Sequence, residues 1–316
     1  MELNNRARLS RAVGAVLAVM LAGGASLGAT TACAQNAAAH AAASQSSADV
    51  ESDPETRSLL FGEEPPGPPG PAPRAADGHP DLSGYWKGSP RTHPVGNIGK
   101  DLPGFKLPLT PAGRTALEYN LTKTIDPESL CIIGGMPRHA ASALPFEIVQ
   151  NRNRVVFLYM YTYFRVVPLG RRKHDPDADP SFFGDKIGWW DGDTLIIDSV
   201  GFKDKQMWID ENANPQSDAM HVVERWTRPD ASHLHLELTI GDPKYYTHPF
   251  KYARTWLAGA PGEGLKEYSC SENNIDRDHL GPGPGPIRPD GTRGYRVPTL
   301  PDNPPSPEFY DTHPRP

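Results

Sequence analysis

The chain has 316 residues, a formal charge of −6 and 37% hydrophobic residues, with 35 prolines beside 30 glycines. Mild acidity without a compensating basic stripe gives no electrostatic footprint for DNA or RNA, so no nucleic-acid partner is expected. The length admits one large or two small domains, and the Pro and Gly gather toward the ends, which points to one folded middle between disordered flanks.

At the N-terminus, Arg6, Arg8 and Arg11 precede an Ala/Val/Leu/Gly run over 12–27. Ala32-Cys33-Ala34 then places small residues where a signal peptidase requires them, so residues 1–34 are predicted to be a signal peptide cut after Ala34. The mature protein is expected in the periplasm or secreted. Lipidation at Cys33 is the weaker alternative, because no Leu stands three positions before the thiol. A membrane anchor is weaker still, because Gly and Ala dilute the apolar run. No later stretch is apolar and long enough to span a bilayer as a helix, so the mature chain is expected to lack a transmembrane segment. Residues 35–79 turn from Ala/Ser-rich to Pro/Gly-rich and read as a disordered linker.

The folded domain is predicted over 80–275. It opens on Asp81-Leu82-Ser83-Gly84-Tyr85-Trp86. A short helix is expected over 109–119, with Thr110 as N-cap and Pro111 at the first helical position. Beyond Cys131 the texture is that of strands: 146–150, 155–167, 186–190, 194–200, 220–227, 233–240, 250–256 and 265–270. Turn residues such as Asn151-Arg152-Asn153, Pro229-Asp230 and Gly241-Asp242-Pro243 separate them. With the Tyr85-Trp86 segment they make about nine strands and predict an all-β, mainly antiparallel fold, an up-and-down barrel with a sandwich as the alternative. Residues 276–316 form a Pro/Gly-rich tail expected to lie extended at most.

Among these strands, Trp189-Trp190 runs into Asp191-Gly192, a dipeptide suited to a type I′ hairpin turn. Such a turn would set Trp190 opposite Asp193 and Trp189 opposite Thr194. Ile187, Trp189, Thr194 and Ile196 then share one face, and Trp190, Leu195 and Ile197 the other. Both faces are largely apolar, which places the hairpin in a closed or doubly covered sheet. Loss of Cys33 with the signal would leave Cys131 and Cys270, which an exported protein most simply joins as a disulfide; a catalytic Cys is the minor reading.

Gly84-Tyr85-Trp86 at the start of a strand meander resembles the opening motif of lipocalin-like (calycin) barrels. Several blocks are also similar to a large family of exported bacterial proteins. They are 81–86, 109–119, Cys131 with Pro137-Arg138, 145–150, 190–202 with its Trp-Asp-Gly-Asp-Thr-Leu, 221–225 with its His-Val-Val-Glu-Arg, Asp242-Pro243 and 267–274. The resemblance implies export and one domain across most of 81–274. It also implies a His where this chain has Gln216, so no role is carried onto that position.

Several positions could carry chemistry. Over 155–165, strict alternation puts Phe157, Tyr159, Tyr161, Tyr163 and Arg165 on one face. Tyr rings suit a cavity that stacks an aromatic or sugar ring, but the same row could be an outer face under a loop. His221 and Arg225 share a face that excludes Glu224. They could act as acid/base and anion clamp with Glu147, or be a satisfied His and a structural ion pair. His139 follows Arg138 in a Gly-rich loop near Cys131, a plausible site edge that Trp189 and Trp190 could complete. His233 and His235 have metal-ligand spacing, yet the apolar stripe Leu234, Leu236, Leu238 and Ile240 turns them toward water, so no metal is assigned. Asp175, Asp177 and Asp179 lack the Gly and distal Glu of a calcium loop. Asp198 alone among the hairpin acids sits mid-strand, where a carboxylate wants a partner. No nucleotide, zinc or nucleophile-elbow motif is present, so no cofactor is expected. The reading is an exported β-barrel that binds a small organic molecule in its cavity. One alternative is a cofactor-independent lyase, isomerase or hydrolase using His221, and another is a structural cell-envelope accessory. The sequence does not set the oligomeric state.

Overall fold

The structure is a computed structural model that describes residues 58–90, 98, 106–142, 144–160, 163–205, 207–272 and 280–283. The expected export signal and its expected cleavage site, Cys33 and most of the C-terminal tail lie outside the described residues, as does Tyr161. No helix among the described residues is long and apolar enough to cross a membrane.

Nine strands form one sheet: β1 (Gly84–Gly88), β2 (Phe146–Asn151), β3 (Arg154–Tyr159), β4 (Phe164–Pro168), β5 (Asp185–Asp191), β6 (Thr194–Val200), β7 (His221–Thr227), β8 (His233–Gly241) and β9 (Phe250–Ala258). Their order is β4-β3-β2-β1-β9-β8-β7-β6-β5, with every hydrogen-bonded pair antiparallel. The β1–β9 pairing brings the first strand onto the last, as an up-and-down barrel requires. Eight antiparallel pairings in a row of nine strands force the two outermost, β4 and β5, to run the same way. Among the described residues, the backbone bridge between these edges is the parallel one of Leu169 with Gly188. The barrel is therefore nearly closed, with one parallel seam, and the 169–184 connection has to cross over between its two edges.

The expected alternation sets which side chains face inward. Phe146, Ile148, Phe157, Arg165, Ile197, Val222, Glu224, Trp226, Leu236, Leu238, Tyr252, Arg254 and Trp256 are all buried. Phe146 packs edge-on against Trp226 and Trp256, with centroids 6.0 and 5.2 Å away, and Phe157 lies 5.2 Å from Trp226. Phe157 and Trp256 are 0% exposed and Trp226 is 2%. Rings lining a water-sized cavity would expose area to it, so the middle of the barrel is a packed core.

Helix α1 (Pro111–Lys123) forms as expected, with Thr110 Oγ1 accepting from the Gly113 amide at 3.0 Å. A four-residue helix, α2 (Arg138–Ala141), was not anticipated and is buried throughout. Tyr252 Oη donates to the Pro137 carbonyl at 3.0 Å and Arg254 Nε reaches the Ala141 carbonyl at 3.5 Å. Inward-pointing side chains thus hold α2 as a plug against the barrel interior.

Four expectations are corrected. The 155–167 stretch is two strands, with Phe157 opposite Arg165 across a hairpin, and not one long strand. The reversal between them carries Met160 and Tyr163 without a Gly, Pro, Asn or Asp to signal it. Residues 265–270 form no strand. In the tryptophan hairpin Asp191 pairs with Thr194, Trp190 with Leu195 and Trp189 with Ile196, so Gly192-Asp193 is the turn. Gly192 has φ +59 while Asp193 has no positive φ, which fits the type II′ requirement and not I′. The two-residue change in pairing sum leaves the face assignments intact. Finally, the end of the Pro/Gly-rich linker is ordered. Phe61 pairs with Gly88 and Pro71 with Asp230; the His79 ring stacks on Trp190 at 4.6 Å, and Arg74 forms a bidentate pair with Asp193 at 2.6 and 2.7 Å. Proline fixes φ beforehand, so docking such an extended strap loses little further chain entropy.

Candidate functional site

Two polar clusters among the described residues take in His139 and His221, the first at the plugged end of the barrel and the second on its outer wall. The first begins with Cys131–Cys270, a disulfide as expected, across a sequence separation of 139. Next to Cys131 lies the 3-10 turn Glu128–Leu130, and the Gly134-Gly135 pair then leads into α2. A Cβ on Gly134 would meet Glu128 Oε1 at 2.0 Å. One on Gly135, at φ +66, would meet the Phe182 carbonyl oxygen at 2.1 Å. The glycines therefore let Glu128 and the crossover approach the plug.

Arg138 is the charge centre of this cluster. Its Nη1 and Nη2 donate to Asp126 Oδ1 and Oδ2 at 2.8 and 2.9 Å, and its Nε lies 2.8 Å from Glu128 Oε2. Burial alone would raise Glu128, but Arg138 and His139 draw it down to about 2. Burial pushes Glu211 up to about 8; Arg138 opposes this while Glu128, Asp126 and Asp210 add to it. Two carboxyl groups in one electrostatic neighbourhood are thus driven apart, one ionised and one protonated near neutrality.

His139 sits beside them with 5% of its surface exposed. Its Nδ1 is 3.3 Å from Glu128 Oε1, and its Nε2 has no hydrogen-bonding partner among the described residues. Aromatic rings wall it in: Tyr159 edge-on at 4.9 Å, Phe183 edge-on at 5.7 Å and Tyr163 at 5.9 Å. Burial pushes the Tyr159 hydroxyl up to about 12. Tyr163 and Tyr268 are only part-buried, and after burial the Glu128 charge helps to raise both hydroxyls. The structure thus brings together His139, Tyr159 and Tyr163 from the sequence reading. Sequence reasoning did not identify Glu128 or Phe183 as their neighbours.

Arg165 touches this cluster through a hydrogen bond with Tyr159, and the other candidates go elsewhere. Arg165 is fully buried in the barrel. Its Nη1 and Nη2 donate to Glu224 Oε1 and Oε2 at 2.6 and 2.9 Å, with its guanidinium 4.4 Å over Phe157. Burial would lower this guanidinium, but Glu224 outweighs that and the net shift is upward. Trp189 faces outward opposite Ile196, and Trp190 is half-buried under His79. His221 and Arg225 both face outward, so neither meets Arg165. Four residues of strand separate their backbones by about 13 Å, too far for joint action on one small group. Arg225 reaches Asp191 at 3.7 Å, while Glu147 lies across β2 opposite Tyr85 and Leu158. The proposed trio of His221, Arg225 and Glu147 is therefore not assembled.

His221 instead belongs to the outer cluster. Its Nε2 lies 2.9 Å from Asp198 Oδ1, and the same oxygen lies 2.9 Å from His174 Nε2. His174 Nδ1 is 3.0 Å from Asp185 Oδ2, and Arg171 binds Asp185 through both oxygens at 3.0 and 3.2 Å. The partner that mid-strand Asp198 requires is thus a pair of imidazoles. The Asp198 hydrogen bond raises His221, with burial opposing it. Burial would raise Asp198, but His221 and His174 hold it below its ordinary value. A carboxylate oxygen occupies the space between the two rings, and no His/Cys/Asp/Glu group among the described residues has metal-binding geometry. His233 contacts Asp230 and Glu64, and His235 contacts Thr255.

Comparison with family models, with curated proteins and with solved structures yields no match to this chain.

Proposed function

We propose that the protein is an exported β-barrel, of the bacterial family its sequence blocks resemble, that binds a small organic molecule at its plugged end. The observation that carries this reading is the buried His139 imidazole, whose Nε2 lacks a partner inside a wall of Tyr159, Tyr163 and Phe183. An unsatisfied buried nitrogen costs about 1–3 kcal/mol, which a ligand's polar group would recover. Ring faces around it suit an aromatic or sugar-like body, and Glu128, ionised near neutral pH, offers an acceptor 3.3 Å from the His139 Nδ1. The packed mid-barrel favours the rim of the plug over the lumen as the place of binding.

Native extraction of the mature protein followed by mass spectrometry tests the proposal. A defined small molecule should co-purify with the wild type and fall at least about tenfold in His139→Ala, in line with loss of one buried hydrogen bond and its packing. Equal recovery from the variant, or none from the wild type, overturns it.

A further inference from the structure

The charges buried at the plugged end are lopsided. Asp126 and Asp210 are 1% and 0% exposed, and Glu128 and Glu211 share their electrostatic neighbourhood. Arg138 is the cation set against these carboxyl groups, and Asp126 and Glu128 already take its three guanidinium nitrogens. Asp210 accepts from Asn214 Nδ2 at 3.0 and 2.8 Å and from the Asn212 and Ile98 amides at 2.9 and 3.2 Å. These donors are neutral, so they steady its charge without cancelling it. Burial pushes Glu211 up to about 8 against the pull of Arg138, and the other three carboxylates add to the push.

His139 gives this negative field a direction. Glu128 Oε1 stands 3.3 Å from Nδ1, and a carboxylate there favours the ring proton on that nitrogen. In the neutral ring Nε2 then carries a lone pair, and no described residue donates to it. A hydrogen-bond donor fits this atom; a carbonyl or carboxylate does not. The rings of Tyr159, Tyr163 and Phe183 around it favour a cation as well, because aromatic faces are negative.

We propose that the ligand of the plugged end is an organic ammonium ion, whose N–H donates to His139 Nε2 while the surrounding carboxylates supply its countercharge. This inference rests on the binding site proposed at His139 and adds the charge of what binds there. A carboxylate or phosphate ligand would meet a lone pair and an excess of like charge. A neutral alcohol could donate to Nε2 but would leave that excess uncompensated. Glu211, which faces the charges of Arg138, Glu128, Asp126 and Asp210, gives the site a pH response. As it ionises through its raised value, it adds attraction for a cation and none for a neutral molecule.

The test is calorimetric titration of the full mature chain with benzylammonium, benzyl alcohol and benzoate, which share a ring and differ in charge. Near neutral pH benzylammonium should bind about tenfold more tightly than benzyl alcohol, as a charge-assisted hydrogen bond exceeds a neutral one, and benzoate should bind most weakly. His139→Ala should weaken benzylammonium, and Glu128→Gln should bring it within about twofold of the alcohol. From about pH 6.5 to about pH 8.5 the wild-type affinity for benzylammonium should rise about threefold while that for the alcohol stays level. Glu211→Gln should flatten that rise. Should Glu128→Gln fail to fold, this second variant decides, because Gln keeps the shape and polarity of a protonated carboxyl. Equal affinity for ammonium and alcohol, tighter binding of benzoate, or a level pH profile in the wild type each overturns the ammonium ligand. Binding of the alcohol or benzoate that His139→Ala abolishes would then leave the site itself standing. No binding of any probe also overturns the ammonium ligand, and the site is judged separately by extraction from wild type and His139→Ala.

Discussion

Strand β7 carries adjacent charged residues into two different worlds. Glu224 points inward, fully buried, and accepts from Arg165 through both oxygens and from Trp226 Nε1 at 2.9 Å. His221 and Arg225 point outward on the same strand and stay half-exposed. The inner pair is desolvated, so its worth lies in being complete: either partner alone is a buried unpaired charge. The outer pair of His221 with Asp198 keeps water within reach, so its worth changes with proton concentration. Ionisable residues of one strand therefore serve in a fixed structural tie on one face and in a titrating pair on the other.

The sharpest way to break this contrast is Glu224→Gln, which strands the Arg165 guanidinium among Phe157 and Trp226. It should cost about 3–5 kcal/mol of unfolding free energy in denaturant titration. The double change Arg165→Met with Glu224→Leu should recover most of that loss, because an apolar pair of similar volume needs no partner. A smaller effect is expected outside the barrel. His174→Ala removes two contacts to carboxylates at 2.9 and 3.0 Å and should cost about 1–2 kcal/mol, with faster amide exchange confined to the crossover and β5. The smallest effect is a pH window. His221 is raised from 6.5, so its contribution is complete below that value and is lost as pH climbs through the higher folded value. Asp198 is lowered from 3.8, so its contribution is complete above that value and is lost as pH falls through the lower folded value. The outer pair should therefore add most between about pH 4 and 6.5. Denaturant midpoints measured across pH should show a shoulder there that His221→Ala flattens and Glu224→Gln leaves in place.

Much of the frame was legible in the sequence because local rules carried it. Thr110 and Pro111 marked the start of α1, and alternation in 194–200 and 233–240 gave both strands and their faces. Failure came where local chemistry is silent. The β3–β4 reversal contains strand-forming residues only, so alternation ran straight through it, yet inward parity survived because Phe157 and Arg165 meet across the hairpin. The ordered strap looked like linker because its anchors, Phe61, Arg74 and His79, are single residues spaced through Pro and Gly. The candidate site was half visible. His139, Tyr159 and Tyr163 stood out as residue types, whereas Glu128 and Glu211 acquire their properties from burial and from charges brought near by the fold. The outer cluster escaped for the same reason: His174, Asp185, Asp198 and His221 come from the crossover and three strands, and no spacing along the chain announces their meeting. Mid-strand Asp198 was the one signal, a carboxylate in search of a partner.

An odd number of strands has a mechanical consequence for this cylinder. Alternating directions cannot close on themselves when the count is nine, so the wall carries a single line of weakness between Phe164–Pro168 and Asp185–Asp191. The backbone groups facing each other along that line are the ones not locked by a ladder. Any force that unrolls the wall, from thermal agitation to a pulling tether, should part it there first, and an incoming extended segment would find a docking rail in the same place. Pro168 at the end of one edge and the stapled crossover over the other are what keep that rail covered.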